Sequence, residues 1–319
     1  METIQYVTPY CGEWEKRLER MRAEGEISFE KDAPLNRLSS FRIGGKADYA
    51  VYPMTEESLV RVVNAAKECG VPFRIFGNCT NVLFDDDGLR GCAVFLKYLD
   101  RVTKEGNFLT VQAGIPDTTL ARIAMKYGLS GTEFLYGIPG SVGGAVYMNG
   151  GAYGGEIAQI CRSVTALDLN SGKIETRVGE ENEFGYRHSA YMEGNRIVLS
   201  AVFDLTPGEP EIIRASMEDL MTKRREKQPL SYPSAGSFFK RCPPYFAGKL
   251  IEDAGLKGMT VGGAQVSEKH AGFVINKGNA TAKDVKALAE LVIRAVREKY
   301  GVTLEREVEY VPADLKGRL

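Results

Sequence analysis

Residues 137–155 read GIPGSVGGAVYMNGGAYGG, the densest glycine run in a chain that has 35 glycines among 319 residues. Because glycine has no Cβ, such a segment can bring several outward-pointing backbone N–H groups close together, and that arrangement binds phosphate oxygens. The commoner explanation of clustered glycines is a set of tight turns and close packing contacts. The run contains neither G-x-G-x-x-G nor G-x-x-x-x-G-K-[ST], so the Rossmann and P-loop forms of phosphate binding are excluded for it.

A separate turn of small polar residues, Gly77-Asn78-Cys79-Thr80-Asn81, comes directly after a strand predicted over Phe73–Phe76. It precedes the glycine run in the chain, so it is called the first turn, and residues 137–144 of the run are called the second turn. Its N–H and hydroxyl groups are further candidate donors to a ligand. Two separate donor-rich turns suit an extended diphosphate better than one isolated phosphate. The sequence therefore indicates a nucleotide cofactor, and ligand-free tight turns stay open as the alternative.

Composition limits the partners and the compartment. The 41 Lys and Arg residues against 42 Asp and Glu give a net charge of −1, which argues against a nucleic-acid partner. No apolar run approaches the roughly 20 residues of a membrane span, and the first thirty residues lack the apolar core of a secretory signal. We therefore expect a cytoplasmic protein without membrane association. Six cysteines without a C-x-x-C pair and only two histidines predict reduced thiols and no metal site.

The hydrophobic pattern predicts strands interrupted by single helices, which favours an α+β or mixed fold over strict βαβ alternation. Helices are predicted after Thr55, from Asp117 or Thr118, and after Thr281, where Asp284 completes a capping box. A hairpin turn is predicted at residues 170–172, and residues 206–210, TPGEP, are the candidate linker. The predicted strands are Phe73–Phe76, Ala93–Leu96, Leu109–Ala113, Val164–Leu169, Ile174–Val178 and Ile197–Leu205.

Six motifs occur in a fixed order between about Asn36 and Val311, nearly the whole chain. They are SFRIGG (40–45), GNCTNVL (77–83), GIPGSVGG (137–144), FGYR (184–187), PSAGSFFK (233–240) and LEREV (304–308). This ordered set resembles the UDP-N-acetylenolpyruvoylglucosamine reductase family, flavoenzymes of early peptidoglycan synthesis. The short spacing from the glycine run to Tyr186 is similar to that of the shorter subtype, which lacks the tyrosine loop.

The resemblance implies an α+β fold with two domains. The first is an FAD-binding domain of the vanillyl-alcohol-oxidase (PCMH-like) type over residues 36–207, in lobes of about 36–98 and 99–207. The second is an α/β substrate-binding domain over residues 211–319, whose last strand, about 303–311, is expected to bring Glu307 to the active site. Residues 1–35 are expected to form a helical N-terminal extension.

The same resemblance implies FAD as the bound cofactor and NADPH as the co-substrate. One position departs from the family turn Gly-x-Gly-Ser-Asn: Cys79 replaces the second glycine and adds a Cβ where the backbone is expected to come close. Thr80 replaces the serine and keeps a hydroxyl. The residues implied to contact FAD are Gly77, Asn78, Cys79, Thr80, Asn81, Val82, Gly137, Pro139, Gly140, Ser141, Gly143, Gly144 and Ile197.

Reduction of an enolpyruvyl ether adds hydride to the terminal CH₂ carbon and a proton to the carbon that bears the carboxylate. The resemblance implies Ser237 as the proton donor, Arg187 as the group that holds the substrate carboxylate, and Glu307 as a carboxyl hydrogen-bonded to the developing enolate. Without the family pattern, these residues would be interpreted as a turn hydroxyl, a surface arginine and part of a solvated strand face. Further substrate contacts are implied for Tyr186, Arg224, Lys240 and His270.

The primary hypothesis is therefore reduction of UDP-N-acetylglucosamine enolpyruvate to UDP-N-acetylmuramate, with a UDP-sugar as substrate and no protein partner implied. Another FAD-dependent oxidase or dehydrogenase of this fold would keep the glycine turns without needing Arg187, Ser237 and Glu307. A non-catalytic nucleotide-binding module would use the same turns to hold a ligand without turnover.

Overall fold

The computed structural model describes residues 12–192 and 195–315. The mixture of helices with mainly antiparallel sheets is the predicted α+β class. The helices in these residues are α1 (Gly12–Ala23), α2 (Leu35–Leu38), α3 (Glu56–Glu68), α4 (Asp117–Lys126), α5 (Val142–Tyr147), α6 (Pro210–Lys227), α7 (Ala247–Asp253) and α8 (Ala282–Tyr300).

The strands of the described residues belong to six sheets of two to five strands each. They are β1 (Ile27–Pro34), β2 (Lys46–Pro53), β3 (Phe73–Phe76), β4 (Val82–Phe84), β5 (Leu89–Phe95), β6 (Val102–Glu105), β7 (Phe108–Gln112), β8 (Leu129–Ser130), β9 (Gly151–Ala152), β10 (Gly155–Glu156), β11 (Cys161–Asp168), β12 (Ile174–Val178), β13 (Arg196–Asp204), β14 (Thr206–Pro207), β15 (Ser234–Ser237), β16 (Thr260–Val261), β17 (Ala264–Val266), β18 (Phe273–Asn276) and β19 (Glu309–Val311).

The first lobe is built on a four-stranded sheet in the order β1-β2-β5-β3. β1 is antiparallel to β2, whereas β2, β5 and β3 run parallel. The helix predicted after Thr55 is confirmed as α3, and a capping box between Thr55 and Ser58 fixes its start. The strand predicted at Phe73–Phe76 is β3, and its carboxyl end leads directly into the Gly77–Asn81 turn.

The N-terminal segment is helical only in part. Residues 1–11 lie outside the described residues, and α1 ends at Ala23. The helical prediction is wrong for Ile27–Pro34, because this segment forms β1 and pairs with β2 along its length. Trp14 and Leu18 of α1 are fully buried in the same core as α3. The segment therefore completes the first lobe.

The second lobe is a five-stranded antiparallel sheet in the order β12-β11-β13-β7-β6. The hairpin predicted at residues 170–172 is confirmed, since β11 and β12 pair across it and Asp168 accepts the N–H groups of Asn170 and Ser171 at 2.9 and 2.7 Å. The second predicted helix is confirmed as α4, and it begins at Asp117. α5 follows the GIPGS turn and packs against β13.

Residues 206–210 do not form a free linker. β14 pairs with β8, and Pro210 is already the first residue of α6. The buried residues Ile213 and Met217 of α6 join the core formed by the two lobes. Most of the core of the C-terminal unit therefore comes after α6, because α6 packs its apolar side chains against the core of the two lobes.

The C-terminal unit contains an antiparallel sheet in the order β15-β18-β17-β16, with α7 and α8 packed near it. α8 has the predicted limits: Thr281 and Asp284 form a capping box, and Gly301 ends the helix with a φ of 69°. Its buried side, which includes Val285 and Leu288, belongs to a second core.

The chain then returns to the first lobe. β19 pairs in parallel with β4, with Glu309 opposite Val82, and Phe84 and Val311 are fully buried between them in a third core. The regular part of the last strand is shorter than the predicted 303–311, because residues 305–307 pair instead with the chain after β15. This crossing segment lies between the first turn and the C-terminal sheet.

Candidate active site

A cleft of about 2080 Å³ is lined by both lobes and the C-terminal unit. Every residue predicted above to be catalytic, cofactor-binding or substrate-binding lines it. Pockets for one small ligand usually measure roughly 300–1,000 Å³. The cleft is therefore large enough for a dinucleotide and a second ligand together.

The first turn, Gly77–Asn81, is joined to the second by a side chain. The amide of Asn78 donates to the carbonyl oxygens of Pro139 and Gly140 at 3.1 and 2.7 Å. The Asn78 amide is thus occupied by the protein, and its backbone N–H is the group left for a ligand. The two turns predicted to share one cofactor form a single cradle.

Cys79 adopts the left-handed conformation that favours glycine, with a φ of 49°. Its side chain is buried in the third core, among apolar residues that include Phe76 and Phe84. Burial raises the pKa of the Cys79 thiol to about 12. The replacement of the family glycine is therefore accommodated, because the added Cβ and thiol lie in the core while the backbone lines the cleft.

The second turn depends on glycine for close packing. A Cβ on Gly77 would lie 2.2 Å from Ser141 Oγ, and a Cβ on Gly140 would lie 2.3 Å from Asp117 Oδ2. Gly143 packs against Ala113, to whose carbonyl its N–H donates at 2.9 Å. The Gly77–Ser141 contact brings the two turns closer together than a residue with a side chain permits, and the other two contacts pack the 137–144 turn against Asp117 and Ala113.

Three buried polar atoms around the second turn have no hydrogen-bond partner among the described residues: Asp117 Oδ1, Ser141 Oγ and Arg224 Nε. Their residues all line the cleft and are at most 8% exposed. Burial lowers the pKa of Arg224 and raises that of Asp117 to about 8. Unsatisfied buried polar atoms are uncommon in folded proteins, so this set fits a large polar ligand such as FAD.

The amino-acid sequence marks Asp117 only as the start of α4 and not as a site residue. An acidic residue in the first turn of a helix is ordinarily an exposed partner of the helix dipole. Nothing in the local sequence distinguishes a buried example from an exposed one.

Arg187 and Glu307 lie 120 residues apart and form an ion pair in the cleft. Arg187 Nε donates to Glu307 Oε1 at 2.6 Å, and Arg187 Nη2 donates to the Gly151 carbonyl at 3.3 Å. Their side chains are 21% and 10% exposed. A guanidinium has five N–H groups, so three remain for a ligand in the cleft.

The backbone around Glu307 is fixed from both sides. Its N–H donates to the carbonyl of Phe238 at 2.9 Å, and its carbonyl accepts from the Asn81 side chain at 3.1 Å. The N–H of Glu309 donates to the Asn81 carbonyl at 3.0 Å. The side chain of Asn81, predicted to contact FAD, therefore positions Glu307, and the Asn81 backbone borders the cleft.

Ser237 ends β15 opposite Phe273 and is exposed to the cleft. Gly236 before it has a φ of 77°, and the pairing of β15 with β18 is irregular between Ser234 and Ser237. A glycine in the left-handed region lets the strand bend at this point. Ser237 therefore directly precedes the residue whose carbonyl accepts the Glu307 N–H, and Ser237, Arg187 and Glu307 all line the same cleft.

The remaining predicted substrate contacts lie along the same cleft. The hydroxyl of Tyr186 accepts the N–H of Arg241 at 2.9 Å, and the Arg187 guanidinium lies 5.4 Å from its ring centre. Lys240 forms an exposed ion pair with Glu305 at 3.5 Å.

His270 is fixed in orientation. Its Nδ1 accepts the N–H of Gly272 at 3.1 Å, and burial lowers its pKa. A neutral ring that accepts at Nδ1 carries its proton on Nε2, so Nε2 is the donor atom of this ring, which belongs to a residue that lines the cleft.

Two features are absent from the part of the chain that the structure describes. Within residues 12–192 and 195–315, no helix has both the length and the apolar character needed to cross a bilayer. The same part of the chain holds no cluster of three or more His, Cys, Asp or Glu residues suited to a metal ion.

Two family models match the chain. The model of the FAD binding domain matches residues 47–177, which cover parts of both lobes and both turns. The model of the C-terminal domain of UDP-N-acetylenolpyruvoylglucosamine reductase matches residues 228–311, which contain Ser237 and Glu307. Residues 178–227 lie between the two matches, so the domain boundary expected at 207–211 stays a prediction.

Curated relatives and a solved structure match nearly the whole chain. UDP-N-acetylenolpyruvoylglucosamine reductase of Geobacillus kaustophilus is 49% identical over 287 residues, 90% of this chain and 94% of that protein. The protein of the same name from Streptococcus pneumoniae strain 70585 is 47% identical over 295 residues, 92% of this chain and 96% of that protein. The crystal structure of the reductase from Thermus caldophilus superposes with a TM-score of 0.76 at 33% identity, covering 90% of this chain and 99% of that one. The chain therefore belongs to the UDP-N-acetylenolpyruvoylglucosamine reductase family.

Proposed function

We propose that this protein reduces UDP-N-acetylglucosamine enolpyruvate to UDP-N-acetylmuramate, a peptidoglycan precursor, with NADPH as reductant and FAD as cofactor. The observation that carries the proposal is the Arg187–Glu307 ion pair in the cleft that Ser237 and both turns also line. FAD reduced by NADPH supplies, when bound, the hydride for the enolpyruvyl carbon. The protein must supply the positive charge, the proton and the orientation.

Arg187 is proposed to hold the carboxylate of the enolpyruvyl group. Hydride addition at the terminal carbon places negative charge on the adjacent carbon and into that carboxylate. The three N–H groups of Arg187 that neither Glu307 nor Gly151 uses can bind two carboxylate oxygens at once, as a guanidinium does and an ammonium does not. Arg187 thus stabilises the charge where it develops.

Glu307 is proposed to orient Arg187 and to hydrogen-bond the enolate. Its hydrogen bond to Nε fixes the plane of the guanidinium, so the other edge faces the substrate. Only an O–H of Glu307 can donate to the enolate, so this role uses the protonated carboxyl.

Ser237 is proposed to protonate the carbon that bears the carboxylate. A serine hydroxyl is a weak acid, but a carbanion-like centre is a strong enough base to remove its proton. The exposed position of Ser237 at the bend of β15 leaves its hydroxyl accessible to substrate. Solvent in the cleft then returns the proton to Ser237.

The two turns are proposed to hold the cofactor diphosphate. Asn78 joins them into one cradle, and the unpartnered atoms of Ser141, Asp117 and Arg224 lie along it. Arg224 is the cation of this set, so it is suited to a phosphate of FAD or of the UDP-sugar.

The test is an anaerobic half-reaction assay on the purified protein. We expect yellow protein, bleaching by NADPH, and recovery of the colour only when UDP-N-acetylglucosamine enolpyruvate is added. Bleaching without recovery would indicate a different flavoenzyme, and colourless protein that takes up no FAD would favour a binding module without turnover.

The cytoplasm is proposed as the compartment. Five cysteines within the described residues, Cys69, Cys79, Cys92, Cys161 and Cys242, are in no disulfide, as expected where thiols are kept reduced. NADPH is also an intracellular reductant. Fractionation of cells that express the tagged protein tests the assignment, and a periplasmic or membrane fraction would contradict it.

A further inference from the structure

Asp117 is a buried carboxyl group to which the proposed mechanism gives no step. It opens α4, is 1% exposed and lines the cleft behind the second turn. Its backbone N–H donates to the Gly140 carbonyl at 3.1 Å, and its Oδ2 packs so closely on Gly140 that no Cβ fits between them. The side chain is therefore fixed in the wall of the FAD cradle.

The Asp117 carboxyl has no hydrogen-bond or ion-pair partner within residues 12–192 and 195–315. Its Oδ1 is buried without a hydrogen bond, and no arginine or lysine forms an ion pair with it among the described residues. An ionised carboxylate without donors or a counter-charge is strongly disfavoured in such a site. A neutral carboxyl, by contrast, has one O–H to donate, and that donor needs an acceptor from outside the protein.

We propose that Asp117 is a cofactor-binding residue whose neutral carboxyl donates a hydrogen bond to an oxygen of the FAD diphosphate. The inference rests on the proposed use of FAD. The diphosphate is favoured because Asp117 lies against Gly140, the residue whose carbonyl also binds Asn78 from the first turn. The donor is thus at the junction of the two turns.

The environment of Asp117 explains why it can stay neutral near pH 7. Burial raises its pKa to about 8. The elements packed against α4 offer few charges: Glu133 is bound to Ser130 and Gly131, and Arg224 of α6 packs against Gly137. The other charged residues of α6 are exposed. Tyr147 at the end of α5 has a pKa that burial raises, so it is neutral as well.

This arrangement predicts a specific pH dependence of FAD affinity. The neutral form of Asp117 binds, so affinity is constant well below its pKa and falls as the carboxyl ionises above it. With a pKa of about 8, the Kd for FAD is expected to rise about tenfold between pH 7 and pH 9.

The experiment measures FAD release from the holoenzyme by the fluorescence of free FAD on dilution, from pH 6 to pH 9.5. Asp117→Asn keeps a neutral donor, so we expect a Kd within about threefold of wild type at pH 7 and no rise at high pH. Asp117→Ala removes the donor, and we expect about tenfold weaker binding at pH 7, also without the rise. Asp48→Asn is the matched control, because Asp48 is a buried aspartate with a raised pKa that does not line the cleft. It should keep the wild-type pH profile.

Two spectra decide where the hydrogen bond goes. A change in the ³¹P resonances of bound FAD in Asp117→Asn, with an unchanged visible flavin spectrum, supports the diphosphate. A changed flavin spectrum with unchanged ³¹P resonances overturns that assignment. Yellow holoenzyme whose Asp117→Asn variant keeps the wild-type rise in Kd overturns the inference and leaves the proposed function standing. Protein that never binds FAD overturns both.

Discussion

Gly77→Ala is expected to destabilise the two-lobed part of the protein by forcing a methyl group against Ser141. The added Cβ would lie 2.2 Å from Ser141 Oγ, whereas ordinary contact begins near 3.4 Å. Gly77 is not in the left-handed region, so alanine meets no backbone strain and the overlap is the main cost. Overpacking of this kind costs about 1–3 kcal/mol, which lowers Tm by roughly 2–12 °C in a domain of this size.

Ser141→Ala is expected to rescue this defect. Without Oγ, the nearest atom to the new methyl group is Ser141 Cβ at 3.4 Å. The double variant should therefore recover most of the lost stability, with a coupling free energy of about 0.5–3 kcal/mol between the two sites. Ser141 Oγ is buried without a partner among the described residues, so its removal alone should cost little in packing.

The assay is thermal unfolding followed by circular dichroism at a fixed excess of FAD, with released FAD measured in parallel. Gly185→Ala is the control, because its Cβ would meet His188 only at 3.7 Å, it is not in the left-handed region and it does not line the cleft. The packing argument would be refuted by a double variant as unstable as Gly77→Ala, or by a Gly77→Ala protein with the Tm of the wild type.

Three further predictions concern the chemistry. In Ser237→Ala, NADPH should still reduce the bound flavin at the normal rate, but turnover on the sugar nucleotide should fall roughly 10²–10⁴-fold, the usual effect of a missing general acid. Unchanged steady-state turnover would show that Ser237 is not the proton donor. Arg187→Lys should raise KM and lower kcat together. Lysine provides neither the hydrogen bond from Nε to Glu307 nor bidentate hydrogen bonds to the carboxylate. A rise in KM alone would limit the role of Arg187 to substrate binding. Burial raises the pKa of the Cys79 thiol to about 12. Mass spectrometry should therefore find no label on Cys79 after iodoacetamide treatment of the native protein at pH 8, and a label after unfolding. Labelling in the native protein would contradict the burial of Cys79.

The Arg187–Glu307 contact changes how the predicted trio is understood. The family resemblance implies separate roles for Arg187 and Glu307, one at the carboxylate and one at the enolate. The structure joins them through Nε and Oε1 at 2.6 Å. Variants of Glu307 therefore alter the orientation of Arg187 as well, so single substitutions at the two positions will not have additive effects.

Elements that depend on a few neighbouring residues could be predicted from the amino-acid sequence. The capping boxes at Thr55 and Thr281, the glycine end of α8 and the strand Phe73–Phe76 were predictable, because each depends on a few neighbouring residues. The two glycine turns were identifiable for the same reason. The ordered motifs were specific enough to predict the family.

Strand pairing, burial and side-chain contacts that involve distant parts of the chain could be seen only in the folded structure. β1 was not predictable locally, because its strand character comes from pairing with β2. The packing of α6 against the two lobes was not predictable either, because only the tertiary structure shows which surface covers Ile213 and Met217. The burial of Asp117 is likewise invisible locally, since the wall around it is made by residues about twenty positions further along the chain. Glu307 reaches Arg187 only because the segment after α8 crosses back to the first lobe, where Asn81 and β4 hold it.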